Sequence, residues 1–256
     1  MSKSFRHTGF VLASISFCLS GFVSAQDSYD GKESIAIDSD DIGGVVTGPE
    51  GPEEGVWVIA ETDDLPTKFR KIVVTDERGR FVLPDLPDAD FRVWVRGYRL
   101  EDSPASIAEP GSLVSLTATA APSPRDAAEI YPASYWYSLV EVPPAGMFPG
   151  TGEGGNGIAP TMRTQTDWIY MMKAHCNLCH QIGTKATREI PASLGTFDTA
   201  HEAWVRRVQS GQNGAMMMRG MAAFGSAGYE MFADWTDRIA AGEVPTAPPR
   251  PAGLER

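Results

Sequence analysis

The side chains with the greatest chemical capacity stand together in His175-Cys176-Asn177-Leu178-Cys179-His180. Two thiols three residues apart share one helical turn, and a histidine directly follows the second. Cys-x-x-Cys-His is the spacing of c-type haem attachment. Each thiol can add to a vinyl group of the porphyrin, and the adjoining imidazole is then placed to ligate the iron. The spacing predicts covalent haem c on Cys176 and Cys179, with His180 as proximal iron ligand. Two other chemistries use the same residue types. A redox dithiol needs a βαβ context and a helix start behind the first cysteine, and neither is legible here. A zinc site from His175, Cys176, Cys179 and His180 crowds its ligands together and lacks the usual second pair downstream. His175 reads as a surface residue near the haem edge.

The motif requires helices around it. Thr166 is placed to cap a first helix with Asp167 in its first turn, and Trp168, Met172 and Cys176 fall on one face. Thr199-Ala200-His201-Glu202 is a capping box for a second, with Trp204, Val205 and Val208 at helical spacing and Gly211 as the stop. A third begins near Ser226 and presents Met231, Phe232, Trp235 and Ile239 as one stripe before Gly242 and Pro245. Three helices over 161–245, with the motif ending the first, resemble a class I cytochrome c domain. So short a segment has little apolar core of its own, and a porphyrin would supply buried surface.

That resemblance implies a sixth iron ligand from the connection between the second and third helices. Met216, Met217, Met218 and Met221 crowd there. In similar sequences the methionine lies three residues after the glycine that corresponds to Gly214, which selects Met217 as the distal ligand, with Met216 and Met218 next. His201 is the alternative; bis-histidine ligation gives a lower reduction potential than a thioether does.

Upstream the chain reads as β structure. Val56 to Ala60, Phe69 to Thr75, Arg80 to Leu83, Phe91 to Val95 and Leu113 to Thr117 are short runs of Val, Ile, Phe and Thr between turn signals. Phe91, Val93 and Val95 alternate with Arg92, Trp94 and Arg96, the period of a strand with one face buried. The spacing predicts a small antiparallel sandwich of about seven strands. Gly44-Val45-Val46, Gly55-Val56-Trp57-Val58 and the run from Thr75 to Pro87 resemble the carboxypeptidase regulatory-like (transthyretin-like) domain, over 34–121. That resemblance implies a noncatalytic module. Asp38, Asp40 and Asp41 read as a solvated acidic loop, since they lack the glycine and terminal glutamate of a calcium loop. Trp57, Trp94 and Tyr98 read as core or cross-strand aromatics rather than a carbohydrate platform.

The expected fold class is therefore multidomain: a small all-β regulatory-like sandwich followed by an all-α cytochrome c domain. Between them, 122–160 holds Tyr131, Tyr135, Trp136 and Tyr137 and then a Gly/Pro-rich run, and is expected to be an ordered lid followed by a loose loop. Residues 246–256 read as a Pro-rich tail. Residues 1–25 have the form of a signal peptide: Lys3 and Arg6, an apolar stretch from Phe10 to Val23, and cleavage after Ala25. They contain the third cysteine, Cys18. The expected localisation is periplasmic or secreted, with no membrane span left after cleavage.

The 256-residue chain has a formal net charge of -11, which argues against a nucleic-acid partner. The excess is uneven: 24 acidic and 10 basic residues over 26–160, against 9 and 10 over 161–256. The order of β domain, aromatic junction, haem motif and the Phe232 to Glu243 segment is similar to a group of exported bacterial cytochromes in which Thr184 to Pro191 also recurs. Many of them continue into a β-propeller similar to virginiamycin B lyase, so a propeller domain or partner beyond Arg256 is implied. The expected role is a periplasmic c-type cytochrome carrying single electrons, on its own or as the electron-entry part of a larger oxidoreductase. No side chain reads as acid, base or nucleophile, so electron transfer is expected rather than enzymatic turnover; the redox partner is left open. Rival expectations are a haem sensor with an open sixth position and a carbohydrate- or protein-binding module with an accessory haem.

Overall fold

Residues 35–253 are described by the computed structural model; the expected signal peptide lies outside the described residues. From Ile42 to Ala120 the chain folds as a β-sandwich-like region, and from Pro124 onward it is helical. The strands are β1 (Ile42–Gly48), β2 (Gly51–Pro52), β3 (Trp57–Thr62), β4 (Phe69–Val74), β5 (Arg80–Leu83), β6 (Phe91–Arg96), β7 (Leu100–Glu101), β8 (Ser106–Ala108), β9 (Ser112–Thr117) and β10 (Thr119–Ala120). One sheet runs β2-β1-β5 with β9 on the other side of β1, the second runs β4-β3-β6-β8, and β7 pairs with β10.

Each face follows the alternation of its strand. Phe91, Val93 and Val95 are fully buried between the sheets with Ile42, Val46, Val58 and Leu83, while Arg92 points outward. Trp94 lies opposite Ile59 in the second sheet. Trp57 meets Tyr98 edge-on at 4.9 Å, and the guanidinium of Arg96 lies 4.9 Å from the Trp94 ring, so these aromatics are packing elements.

The strand pairing departs from the expected all-antiparallel order at one place. β1 and β9 are parallel, in register from Ile42 opposite Ser112 to Thr47 opposite Thr117. The chain between them crosses to the other sheet before it returns, and that makes the pair parallel. Residue type alone carries no trace of such a crossover. Gly44 sits where these two backbones approach: a Cβ there would lie 2.0 Å from the Val114 carbonyl oxygen.

The 122–160 segment is part of the helical core rather than a separate junction. α1 (Pro124–Ala128) is capped by Ser123, and α2 (Ala133–Tyr137) carries the fully buried Trp136. Ala128, Tyr131, Trp136 and Ile158 share one core with Trp168, Phe224 and Trp235. The Gly/Pro run is tied down as well. Asn156 Oδ1 accepts from Thr151 N at 3.0 Å, and Gly152 N donates to Ile158 O at 2.9 Å, which replaces the expected loose loop.

The tail returns to the β region. Pro245 and Pro248 are buried, Arg250 Nη1 lies 2.5 Å from Glu53 Oε2, and its Nε donates to Tyr98 O. With the edge-on Tyr98 and Tyr131 rings at 5.6 Å, this strap joins the β and helical parts, and residues from Ile35 onward form one unit.

Gly44→Ala is expected to destabilise the protein by about 1–3 kcal/mol through overpacking at the β1–β9 contact. Urea denaturation checks this; an unchanged midpoint would mean that the two backbones separate freely.

Candidate functional site

α3 (Gln165–Met171) delivers the motif. Its N-cap is Thr164, two residues before the expected Thr166. Thr164 Oγ1 accepts from Asp167 N at 3.1 Å, and Asp167 Oδ2 accepts from Thr164 N at 2.9 Å, a reciprocal box that satisfies two terminal N–H groups. Trp168 and Met172 are buried on the expected face. The helix then widens into a π turn, Met172–Cys176, in which Asn177 N donates to Met172 O five residues back. Cys176 comes out of this turn partly buried, and Cys179 and His180 follow exposed. Asn177 Oδ1 accepts from Ile182 N at 3.1 Å and closes the turn.

The two thiols are free. Burial pushes the Cys176 thiol up to about 11, the opposite of the stabilised thiolate that a redox dithiol uses. Among the described residues, the group of three or more ligand atoms within 4.8 Å of one another is Asp38, Asp40 and Asp41, so the four-ligand zinc set is not assembled at the motif. The Asp38 loop itself is exposed and organised by Asp41, whose carboxylate accepts from Asp38 N and Asp85 N.

After the motif, α4 (Lys185–Arg188) is braced against the former junction. Arg188 is buried: its Nη2 donates to Glu129 Oε2 at 3.2 Å, and its guanidinium lies 4.0 Å from the Trp136 ring. α5 (Ala200–Val208) starts at Thr199 as expected, although the Glu202 carboxylate accepts from Asp198 N rather than from the cap. Trp204 stacks on Phe232 at 4.7 Å and donates to Thr236 Oγ1. Gly211 has a φ of 76°, as its place beyond the helix end requires.

The methionine cluster stands differently from the expectation. Met216, Met217 and Met218 do not lie in a loop: they belong to α6 (Gly214–Phe224). No proline or β-branched residue interrupts this run, and methionine and alanine favour helix. Helical spacing divides the cluster. Met217 and Met221 face inward, Met216 lies at the rim with 54% exposure, and Met218 is 41% exposed off the cavity wall. Gly225 (φ 81°) then turns the chain into α7 (Ser226–Ala240), whose Met231, Phe232, Trp235 and Ile239 form the expected stripe.

Between these elements lies a cavity of about 590 Å³. Its wall includes His175, Cys176, Cys179 and His180 from the motif, Met216, Met217 and Met221 from α6, and Trp204, Val208 and Phe232 as apolar lining. Met221 is the residue that spacing to Gly214 passed over; its position one helical turn beyond Met217 is the signal that could have found it. His201 is outside the cavity wall. Its Nδ1 lies 2.8 Å from Glu230 Oε1 and its ring packs at 5.7 Å from Tyr229, as its place in the first turn of α5 dictates. Arg207 also lines the cavity, stacked 4.8 Å from Trp204, and burial holds its guanidinium below the usual arginine range. A second, open cleft of about 730 Å³ between Arg125, Arg188 and Asp198 contains none of the motif residues.

No protein-family model and no curated protein matches the chain. Among solved structures, the dioxygenase domain of a dioxygenase carbohydrate-binding protein fusion from Streptomyces sp. SirexAA-E is similar at 16% identity and TM-score 0.24, over 32% of this chain and 79% of that one. The Bacillus anthracis TIE protein is similar at 13% identity and TM-score 0.25, over 32% of this chain and 16% of that one. Likenesses at these TM-scores bear on neither fold nor function.

Trp168 and Phe224 meet edge-on at 4.7 Å and tie the motif helix to the methionine helix. Trp168→Ala and Phe224→Ala are each expected to cost about 3–5 kcal/mol. A double-mutant cycle by denaturant titration is expected to give a coupling of about 0.5–1.5 kcal/mol, and strict additivity would contradict a direct contact.

Proposed function

We propose that this protein is an exported c-type cytochrome that carries single electrons on one covalently bound haem in the periplasm. The observation that carries the reading is the composition of the cavity wall: both thiols and the imidazole of Cys-x-x-Cys-His face the same space as Met217, amid apolar side chains. A volume of about 590 Å³ lies within the range of built cofactor sites. Thiols, imidazole and thioether are also the donor set of a haem with histidine and methionine axial ligands. The residues present therefore fit the group.

Cys176 and Cys179 would form the two thioether links, His180 would supply the proximal nitrogen and Met217 the distal sulfur. The chemistry supplied by bound haem c is one-electron Fe(III)/Fe(II) exchange. Trp204, Val208 and Phe232 keep water from the inner wall, and the low dielectric there restrains solvent reorganisation. The helical part is then a cytochrome c domain, and the β region a regulatory-like module. Its acidic surface is suited to solubility or to steering a basic partner.

Pyridine haemochrome analysis of protein made with the cytochrome c maturation machinery is expected to find one covalent haem per chain, and none in the Cys176→Ala, Cys179→Ala double variant. The ferrous wild type is expected to resist carbon monoxide, Met217→Ala to bind it rapidly, and His201→Asn to behave as wild type. Rapid carbon monoxide binding by the wild type would point instead to a sensor with an open sixth position. Absence of covalent haem would overturn the reading.

A further inference from the structure

The open cleft of about 730 Å³ has no part in the haem reading, and its wall carries a donor that the fold leaves unmatched. Arg188, at 4% exposure, donates through Nη1 to Gly183 O and through Nη2 to Glu129 Oε2, both at 3.2 Å. Its Nε makes no hydrogen bond, and Glu189 Oε1, 3.9 Å away, is too far to accept one. A buried charged donor without an acceptor is costly, so this wall lacks an acceptor. Arg125 brings a second cation to the same cleft. Its guanidinium lies 5.9 Å from the Trp136 ring that Arg188 covers at 4.0 Å, and its Nη1 donates to Ile239 O. Among the described residues no carboxylate pairs with Arg125. Burial holds the Arg188 guanidinium below the usual arginine range, and the Arg125 charge adds to the effect. The start of α5, Thr199 and Ala200, belongs to the same wall and adds its terminal N–H groups.

Carboxylates line the cleft as well. Asp198 and Asp237 are exposed and pair with no cation among the described residues, and Glu189 is half-buried. A bare anion that reached the guanidiniums would be repelled by these three groups, and a bare cation by the two arginines. A molecule that carries both charges a few bonds apart satisfies both sets at once. We propose that this cleft binds a free amino acid, its carboxylate received by Arg188 Nε and Arg125 and its ammonium by Asp198 and Asp237. The site shares no residue with the Cys-x-x-Cys-His motif, so it is independent of the haem reading.

The test screens the full chain, made with the cytochrome c maturation machinery, against each of the common L-amino acids at millimolar concentration. Thermal unfolding serves for the screen and isothermal titration calorimetry for the affinity. Acetate, methylammonium, inorganic phosphate and glucose, at the same concentration, are the probes that lack one or both poles. At least one amino acid is expected to raise the unfolding midpoint and to bind saturably, with none of the four controls doing so. Arg125→Gln and Asp237→Asn are each expected to weaken that binding about tenfold or more. A screen in which no amino acid binds would overturn the proposal, as would acetate, phosphate or glucose binding as tightly as the best amino acid. Should Arg125→Gln not accumulate, wild-type affinity in Asp237→Asn, whose side chain is exposed, would do the same. Covalent haem is measured separately on the same sample, so a failure here leaves the cytochrome reading standing.

Discussion

One aromatic contact sets the geometry on which the site depends. Trp168 and Phe224, both fully buried, meet edge-on at 4.7 Å. Cys176 lies eight residues beyond Trp168, and Met217 seven residues before Phe224. Two turns of helix therefore separate each ring from the group it positions. Neither ring lines the cavity, and the contact links the helices that carry the motif and the methionines. Phe148, 6.2 Å from Trp168, closes the same cluster from the segment that leads in from the β region. The π turn adds the final adjustment, since one extra residue in the turn rotates all that follows it.

The other braces act on the cavity's third side. Arg188 couples α4 to Trp136, Trp235 Nε1 donates to Trp136 O at 3.1 Å, and Phe232 carries Trp204. A core this rich in indole rings would be costly if their N–H groups went unmatched, and three of them find oxygen acceptors. The stretch from Pro124 to Ile158 supplies much of this framework. The helical core extends beyond 161–245, since Ala127, Trp136 and Ile158 are packed into it.

Much of this was legible in the residues. The alternation from Phe91 to Arg96, the stripe from Met231 to Ile239 and the cap at Thr199 are local patterns, and local patterns survive folding. The Cys-x-x-Cys-His spacing was legible for the same reason: it is a pattern of neighbours in sequence. Some misses involve partners distant in the chain. The parallel pairing of β1 and β9 depends on a crossover, and the place of 122–160 in the helical core depends on Trp168, Phe224 and Trp235. The placement of Met218 and His201 away from the cavity depends on which helix face packs, and a spacing rule measured from Gly214 takes no account of a face. The fixed position of Arg207 has no local signature, because its carbonyl partners lie 18 and 21 residues earlier.

The central claim is that Cys176 and Cys179 both hold one haem beside His180. Mass spectrometry of the tryptic peptide 174–185, from protein matured in an exporting host, tests it most directly. The account predicts a peptide heavier by one haem, with neither cysteine open to alkylation. A peptide at its unmodified mass, with both thiols alkylated or joined in a disulfide, would contradict it.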